Sequence, residues 1–450
     1  MMRFATWIRA GAVAGFLAAG LALPAGAAVE IEDVTTPAGI SAWLVEDHSN
    51  PFTVLEIRFR GGTSLDQPDK RGAIYLMMGL LEEGSGDLDS RAHARALESI
   101  AASVDYDASD DEVSITATFL TESRDEAMAL LHDALHDPHF DPDDIDRVRR
   151  QVLSSLASDL QDPNAIAGKT FSAMAFGDHP YGSPGEGTIE SVSALTRDDI
   201  VAAYDAVFAR DRLYVGAVGD ITAPELSEIV DGLLADLPET GAPLPGKADF
   251  QMTGGVTVVP FETPQSVAIF GQKGLDRDDP DFFAAYVLNQ ILGSGGFESR
   301  LMNEVREKRG LTYGVYSYLV PKDHAAIYMG SVASGNDRIA EAVEVIRDEW
   351  RRMAEEGVTQ EELDKAKTYL TGAFPLRFDG NGRVASIMVG MQMEGLPVDY
   401  IATRNDKVNA VTLDDVNRVA RELLDPDGLH FVVVGQPIGM TSTPVPGSEG

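Results

Sequence analysis

A repeat at about half the chain length constrains this sequence more than any other feature. Residues 44–84 (LVEDHSNPFTVLEIRFRGGTSLDQPDKRGAIYLMMGLLEEG) give an alternating apolar strand, a turn region and an apolar helix. Residues 258–295 (VVPFETPQSVAIFGQKGLDRDDPDFFAAYVLNQILGSG) repeat that order. Residues 123–156 are echoed by 335–372, and VSALTRDDIVAAYDAVFARDRLYVGAVGD at 192–220 by VNAVTLDDVNRVARELLDPDGLHFVVVGQ at 408–436. Each half reads as strands, helices and a closing helix–strand unit. The pattern predicts an α+β fold of two tandem homologous lobes, each a mainly antiparallel sheet packed with helices. The lobes are expected at 28–240 and 255–437. Between them, the Pro- and Gly-containing stretch 241–254 suits a surface linker, and residues 438–450 offer so little apolar surface that a disordered tail is expected.

The first 27 residues read as a secretory signal. Arg3 and Arg9 flank its start, an Ala/Leu/Gly-rich stretch follows, and Ala25-Gly26-Ala27 fits a small-residue cleavage site. The apolar stretch is shorter than the roughly 20 residues a membrane-spanning helix needs, so a cleaved leader and a periplasmic location are expected. No later segment is apolar enough to span a membrane. The chain has no cysteine, which excludes a disulfide framework and a lipid-bearing cysteine. With 72 acidic against 36 basic residues, the formal net charge of −36 repels nucleic acid and anionic headgroups. Basic or extended peptides are the better ligands.

Two segments carry the chemistry. In the first half, Arg71-Gly72-Ala73-Ile74-Tyr75-Leu76-Met77-Met78 opens an apolar helix that ends near Glu82, Glu83 and Gly84. In the second, Gly293-Ser294-Gly295-Gly296 leads through Phe297 and Arg300 to Asn303-Glu304-Val305-Arg306-Glu307-Lys308-Arg309-Gly310-Leu311-Thr312-Tyr313. With the repeat, these motifs resemble the insulinase and pitrilysin superfamily of zinc metallopeptidases, in its short, processing-peptidase-like bacterial branch. The resemblance runs through both lobes in order.

That family carries G-x-A-H-F-L-E-H in its first lobe, where two imidazoles one helical turn apart bind zinc beside a carboxylate base. Aligned on it, Ile74, Met77 and Met78 take the places of His, Glu and His. The family's third ligand, a Glu about 76 residues beyond the second His, aligns with Ser155 when a one-residue insertion is allowed. The resemblance therefore implies a zinc site lost as a whole, and no metal in this chain. Met77 and Met78 could suggest soft copper, but adjacent residues do not share a helix face, so core packing is favoured. Glu82 and Glu83 are read as solvating the helix end, without a catalytic role.

In the same family an Arg and a Tyr seven residues apart reach from the silent lobe toward the active site, and Arg306 and Tyr313 match that spacing. An Arg fork suits backbone carbonyls and a Tyr hydroxyl suits an oxygen gaining charge. The plain alternative is a solvated helix face and a packed strand residue, and Arg309 competes with Arg306 for the role. Gly293, Ser294, Gly295 and Gly296 lack the Lys-Ser/Thr ending of a phosphate loop; the resemblance implies contact with a peptide. His132 and His136 could share a helix face, but Pro138 separates them from His139, so a solvated helix end is preferred to a metal site.

The resemblance implies half of a clam-shell. It would be the non-catalytic subunit of a heterodimeric periplasmic zinc peptidase, with zinc held by a homologous H-x-x-E-H partner and short or unfolded peptides as substrates. The alternative is a non-proteolytic periplasmic peptide-binding or scaffold protein of the same fold.

Overall fold

A computed structural model describes residues 30–443; the expected signal at 1–27 and the end of the chain from 444 lie outside the described residues. The first half runs β1 (Glu32–Thr35), β2 (Ser41–Glu46), β3 (Phe52–Arg60), α1 (Ala73–Leu80), α2 (Ser90–Ser99), β4 (Ser103–Ala108), β5 (Glu112–Leu120) and α3 (Arg124–His136). It continues with α4 (Pro142–Asp159), α5 (Pro163–Phe176), α6 (Ile189–Ala194), α7 (Arg197–Val207), β6 (Leu213–Gly219) and α8 (Ala223–Leu234). The second half runs β7 (Gly255–Pro260), β8 (Gln265–Lys273), α9 (Phe282–Asn289), β9 (Val315–Pro321), β10 (Ala326–Gly335) and α10 (Ile339–Glu356). It closes with α11 (Gln360–Ala373), α12 (Asn381–Met393), α13 (Tyr400–Ala410), α14 (Leu413–Leu423) and β11 (His430–Gly435).

The fold is α+β, with two mainly antiparallel sheets. Their orders, β1-β2-β6-β3-β5-β4 and β7-β11-β8-β10-β9, are the same topology apart from β1. In each, the last strand pairs parallel with the first strand of the repeat and antiparallel with the next. The repeat extends to the caps. Thr196 with Asp199 and Thr412 with Asp415 form capping boxes that start α7 and α14, each satisfying N–H groups the first helical turn leaves unpaired.

One face of each sheet holds a core built by its own half: Leu55, Ile57, Phe59 and Ile115 under α1, α4, α7 and α8, and Phe270, Tyr328 and Phe431 under α9, α10 and α14. The opposite faces are covered by exchange. Helix α12 of the second half packs on β3 and β6 of the first sheet, while α5 of the first half packs on β8 and β11 of the second. Two strand glycines permit the approach. A Cβ on Gly216 would stand 2.8 Å from Val389 Cγ2, and one on Gly271 would stand 2.7 Å from Phe171 Cζ.

The two edge hairpins also meet. Lys322 pairs with Asp110, Arg60 with Asp323, and the Asp323 N–H donates to Asp111. Residues 241–254 hold neither helix nor strand and are tied to both halves, through Ala242 N–H to the Ala206 carbonyl and Ala248 N–H to the His324 carbonyl.

The expectation of disorder from 438 does not hold for 438–443. The Thr443 N–H donates to the Val256 carbonyl at 2.8 Å, and the Val256 and Val258 N–H groups donate to Thr443 Oγ1 and Ser442 Oγ. This segment covers the β7 edge, the edge β1 covers in the other sheet. Its backbone and hydroxyls hold it there, with Met440 packed against the second core. No helix among the described residues is long and apolar enough to cross a membrane.

Candidate functional site

Helix α1 begins at Gly72, whose φ of 92° suits a residue without a side chain. The Asp66 carboxylate receives the N–H groups of Gly72 at 2.8 Å and Ile74 at 3.0 Å, which anchors the first turn. Burial pushes the Asp66 carboxyl up to about 6, against the opposing pull of those N–H groups and of Arg71.

Ile74, Met77 and Met78 are all buried in the first core. Among the eight residues of α1, only Tyr75 and Gly79 escape full burial, and they stand one turn apart. A ligand pair on this helix would therefore occupy 75 and 79, not 74 and 78. The alignment made from sequence is displaced by one residue. Moving it places Ser155, which is exposed on α4, 76 residues beyond Gly79, and the inserted residue is no longer needed. Tyr75, Gly79 and Ser155 thus stand where the ligands belong, with Met78 at the position of the base.

These residues do not fit zinc. Gly79 has no side chain, and burial with nearby Glu186, Asp107 and Asp159 raises the Tyr75 phenol above its ordinary value and keeps it protonated. No group of three His, Cys, Asp or Glu side chains among the described residues could hold a metal. Glu83 is occupied by Arg147 and by the Ser90 hydroxyl. Glu82 is raised by burial and by its neighbours Glu83, Asp105 and Asp107. His132 and His136 stack on each other at 4.4 Å, while His136 donates to the Leu233 carbonyl and His139 to that of Gly86.

In the second half the candidate residues are presented differently. After α9 the chain continues in two wide helical turns, Gln290–Ser294 and Met302–Glu307. Gly293 lies against β9, where a Cβ would sit 2.1 Å from Ser317 Oγ, and Ser294 Oγ donates to Gln290. Gly293 and Gly295, whose Cβ would meet the Gln290 carbonyl, answer to packing; Ser294 is exposed, and Gly296, at φ 58°, borders open space.

The Arg306 guanidinium lies 4.5 Å from the centre of the exposed Phe297 ring and pairs with Glu307. Arg309 is committed elsewhere, to the Glu304 carboxylate and carbonyl. Against the burial that would raise it, Lys308 and Arg309 hold Glu304 at about 2, so this pairing is firm. Arg306 is the available arginine. Tyr313 is 86% exposed in the loop before β9.

Sequence reasoning missed Tyr316 and Tyr318, both exposed on β9. Their place follows from the register. The row Asp105–Thr116–Glu56–Gly216 in the first sheet matches Tyr316–Ser331–Ile269–Val432 in the second. By the same rows Tyr318 stands where Asp107 does. Among the described residues no strand pairs with the outer edge of either β4 or β9. The alternation of Tyr316 and Tyr318 was the available signal.

A duplicated α+β unit in which, among the described residues, no three His, Cys, Asp or Glu side chains gather for a metal is the class that fold and site define. The family model for insulinase (peptidase family M16) matches residues 42–189, and that for the peptidase M16 inactive domain matches residues 194–370. The chain is 28% identical over 390 residues to the non-peptidase homolog YmxG of Helicobacter pylori, covering 86% of this chain and 90% of that protein. It is also 28% identical to an uncharacterized zinc protease of Streptomyces coelicolor, over 81% of this chain and 80% of the relative. The crystal structure of a peptidase M16 inactive domain from Pseudomonas fluorescens superposes with a TM-score of 0.85 at 27% identity, covering 92% of this chain and 99% of that one. The protein belongs to the insulinase family, M16, as an inactive member.

Proposed function

We propose that this chain is the non-catalytic subunit of a heterodimeric zinc metallopeptidase, acting in the periplasm after removal of residues 1–27. A homologous subunit with H-x-x-E-H would hold the zinc, which activates water for peptide hydrolysis. This chain would complete the clam-shell and bind short or unfolded peptides. The observation that carries the reading is the contrast between halves. The open face of α1 bears Tyr75 and Gly79, which do not fit zinc, while Arg306 and Tyr313 remain presented at the second sheet. Arg306 suits peptide carbonyls and the Tyr313 hydroxyl suits a developing oxyanion.

In the reconstituted pair, Arg306→Ala or Tyr313→Phe is expected to lower peptide turnover about tenfold or more while leaving assembly intact. Steady-state kinetics with a quenched peptide and sizing chromatography check this. Unchanged turnover in both variants contradicts the assigned roles.

A second reading, a peptide-binding or scaffold protein without proteolysis, is favoured by one observation. The edge strand β9, with Tyr316 and Tyr318, can receive an added strand without any metal. Binding of unfolded peptide by the chain alone, with no zinc-bearing partner in its native extract, would select it.

A further inference from the structure

Three arginines converge on a cavity of about 250 Å³ bounded by α9, α12, α13 and the turn after α11. Arg404 is only 4% exposed. Its Nη1 donates to the Leu370 carbonyl at 2.8 Å and to Asn405 Oδ1 at 3.1 Å, and its guanidinium lies 4.5 Å from the Phe374 ring centre and 5.3 Å from that of Tyr286. No carboxylate among the described residues is ion-paired with it. The comparison within the molecule is direct. The two other arginines buried as deeply, Arg71 and Arg212, have Asp66 at 3.7 Å and Asp211 at 3.0 Å.

Arg277 approaches the same cavity, 4.3 Å from the Phe282 ring centre, and donates to Tyr400 Oη at 2.8 Å. The exposed Arg377 stands at the rim. Neither is ion-paired among the described residues. Arg277 also acts on Glu394, whose carboxyl burial nonetheless holds above its ordinary value. In a chain with twice as many acids as bases, three unpaired arginines around one aromatic-walled cavity call for an anion. Burying a guanidinium is costly unless an opposite charge answers it, and contact with ring faces returns only part of that cost.

We propose that this cavity binds a carboxylate carried on an apolar, aromatic body. The anion bridges Arg404 and Arg277, and the body lies among Phe282, Tyr286 and Phe374. A planar guanidinium fork matches a carboxylate, and the rings match an aryl group better than a hydrated inorganic ion. The same chemistry is offered by a free aryl carboxylate and by the C-terminus of a peptide ending in phenylalanine. This site is separate from α1 and from the Arg306 segment, and does not depend on the subunit reading.

Calorimetric titration of the chain with phenylacetate, 2-phenylacetamide, inorganic phosphate and a tetrapeptide ending in phenylalanine, free or amidated, tests it. An acid, either phenylacetate or the free-ended peptide, is expected to bind at least about tenfold tighter than its amide. The tighter of the two acids identifies the source. Arg277→Gln should weaken binding about tenfold and Arg377→Ala a few-fold, each titrated below the onset of its thermal unfolding, which Arg377→Ala leaves unchanged. Because Arg404→Met also removes the bond to Leu370, these two variants carry the test. Amides that bind as well as acids, phosphate that binds as tightly as both acids, absence of saturable binding, or affinity unchanged in both variants would each overturn the proposal.

Discussion

Asp66 lies beneath the first turn of α1, and burial leaves its carboxyl at about 6 against an ordinary 3.8. A carboxyl that binds its proton more tightly when folded makes folding take up a proton between those values. Its contribution to stability therefore grows as pH falls from about 6 to about 4, by on the order of 3 kcal/mol. Glu225, Glu304 and Glu362 run the other way. Held at about 2 against 4.5, they contribute stability above 4.5 that is lost as pH falls toward 2. Denaturant unfolding across pH should show a maximum near about pH 5, and Asp66→Asn should flatten the rise between 6 and 4 while keeping the acid limb. A wild-type chain that loses stability steadily from pH 7 to 5 contradicts this assignment. At this scale the resemblance suggested Arg306 and Tyr313 and left Arg309 open as a competitor, because only the fold reveals that Glu304 already holds Arg309.

Helix α1 shows why a motif can be located and still be misregistered. Its sequence, AIYLMMGL, is apolar on every face, so periodicity does not say which side is buried. Only the packing singles out Tyr75 and Gly79. The closing helices were easier, since T-x-x-D at Thr196 and Thr412 marks each start through a local bond that needs no tertiary context. The destinations of α5 and α12 were not legible, because an apolar helix face does not name the sheet it will cover. The glycines beneath them carry that information in hindsight. Gly271→Val should drive a side chain into Phe171 and cost about 1–3 kcal/mol, measured by thermal or denaturant unfolding. A neutral substitution would mean that α5 does not press on β8 as described.

The half-length repeat made two lobes legible, but the exchange of α5 and α12 makes them one interlocked molecule. Each half alone would expose the sheet face that its partner's helix covers. Residues 30–240 and 241–443 expressed separately should therefore fail to fold, giving the dispersion-poor NMR spectra of unfolded chains, while the intact chain unfolds in one cooperative transition. Two independent, separable transitions contradict the interlock. The central claim concerns what this intact unit does beside a metal-bearing relative. Purification of the tagged chain from its native extract, followed by zinc analysis and a quenched-peptide assay on the complex and on the chain alone, tests it most directly. The account predicts zinc and activity only in a complex with an H-x-x-E-H subunit; a chain that purifies without such a partner, or that hydrolyses peptide by itself, contradicts it.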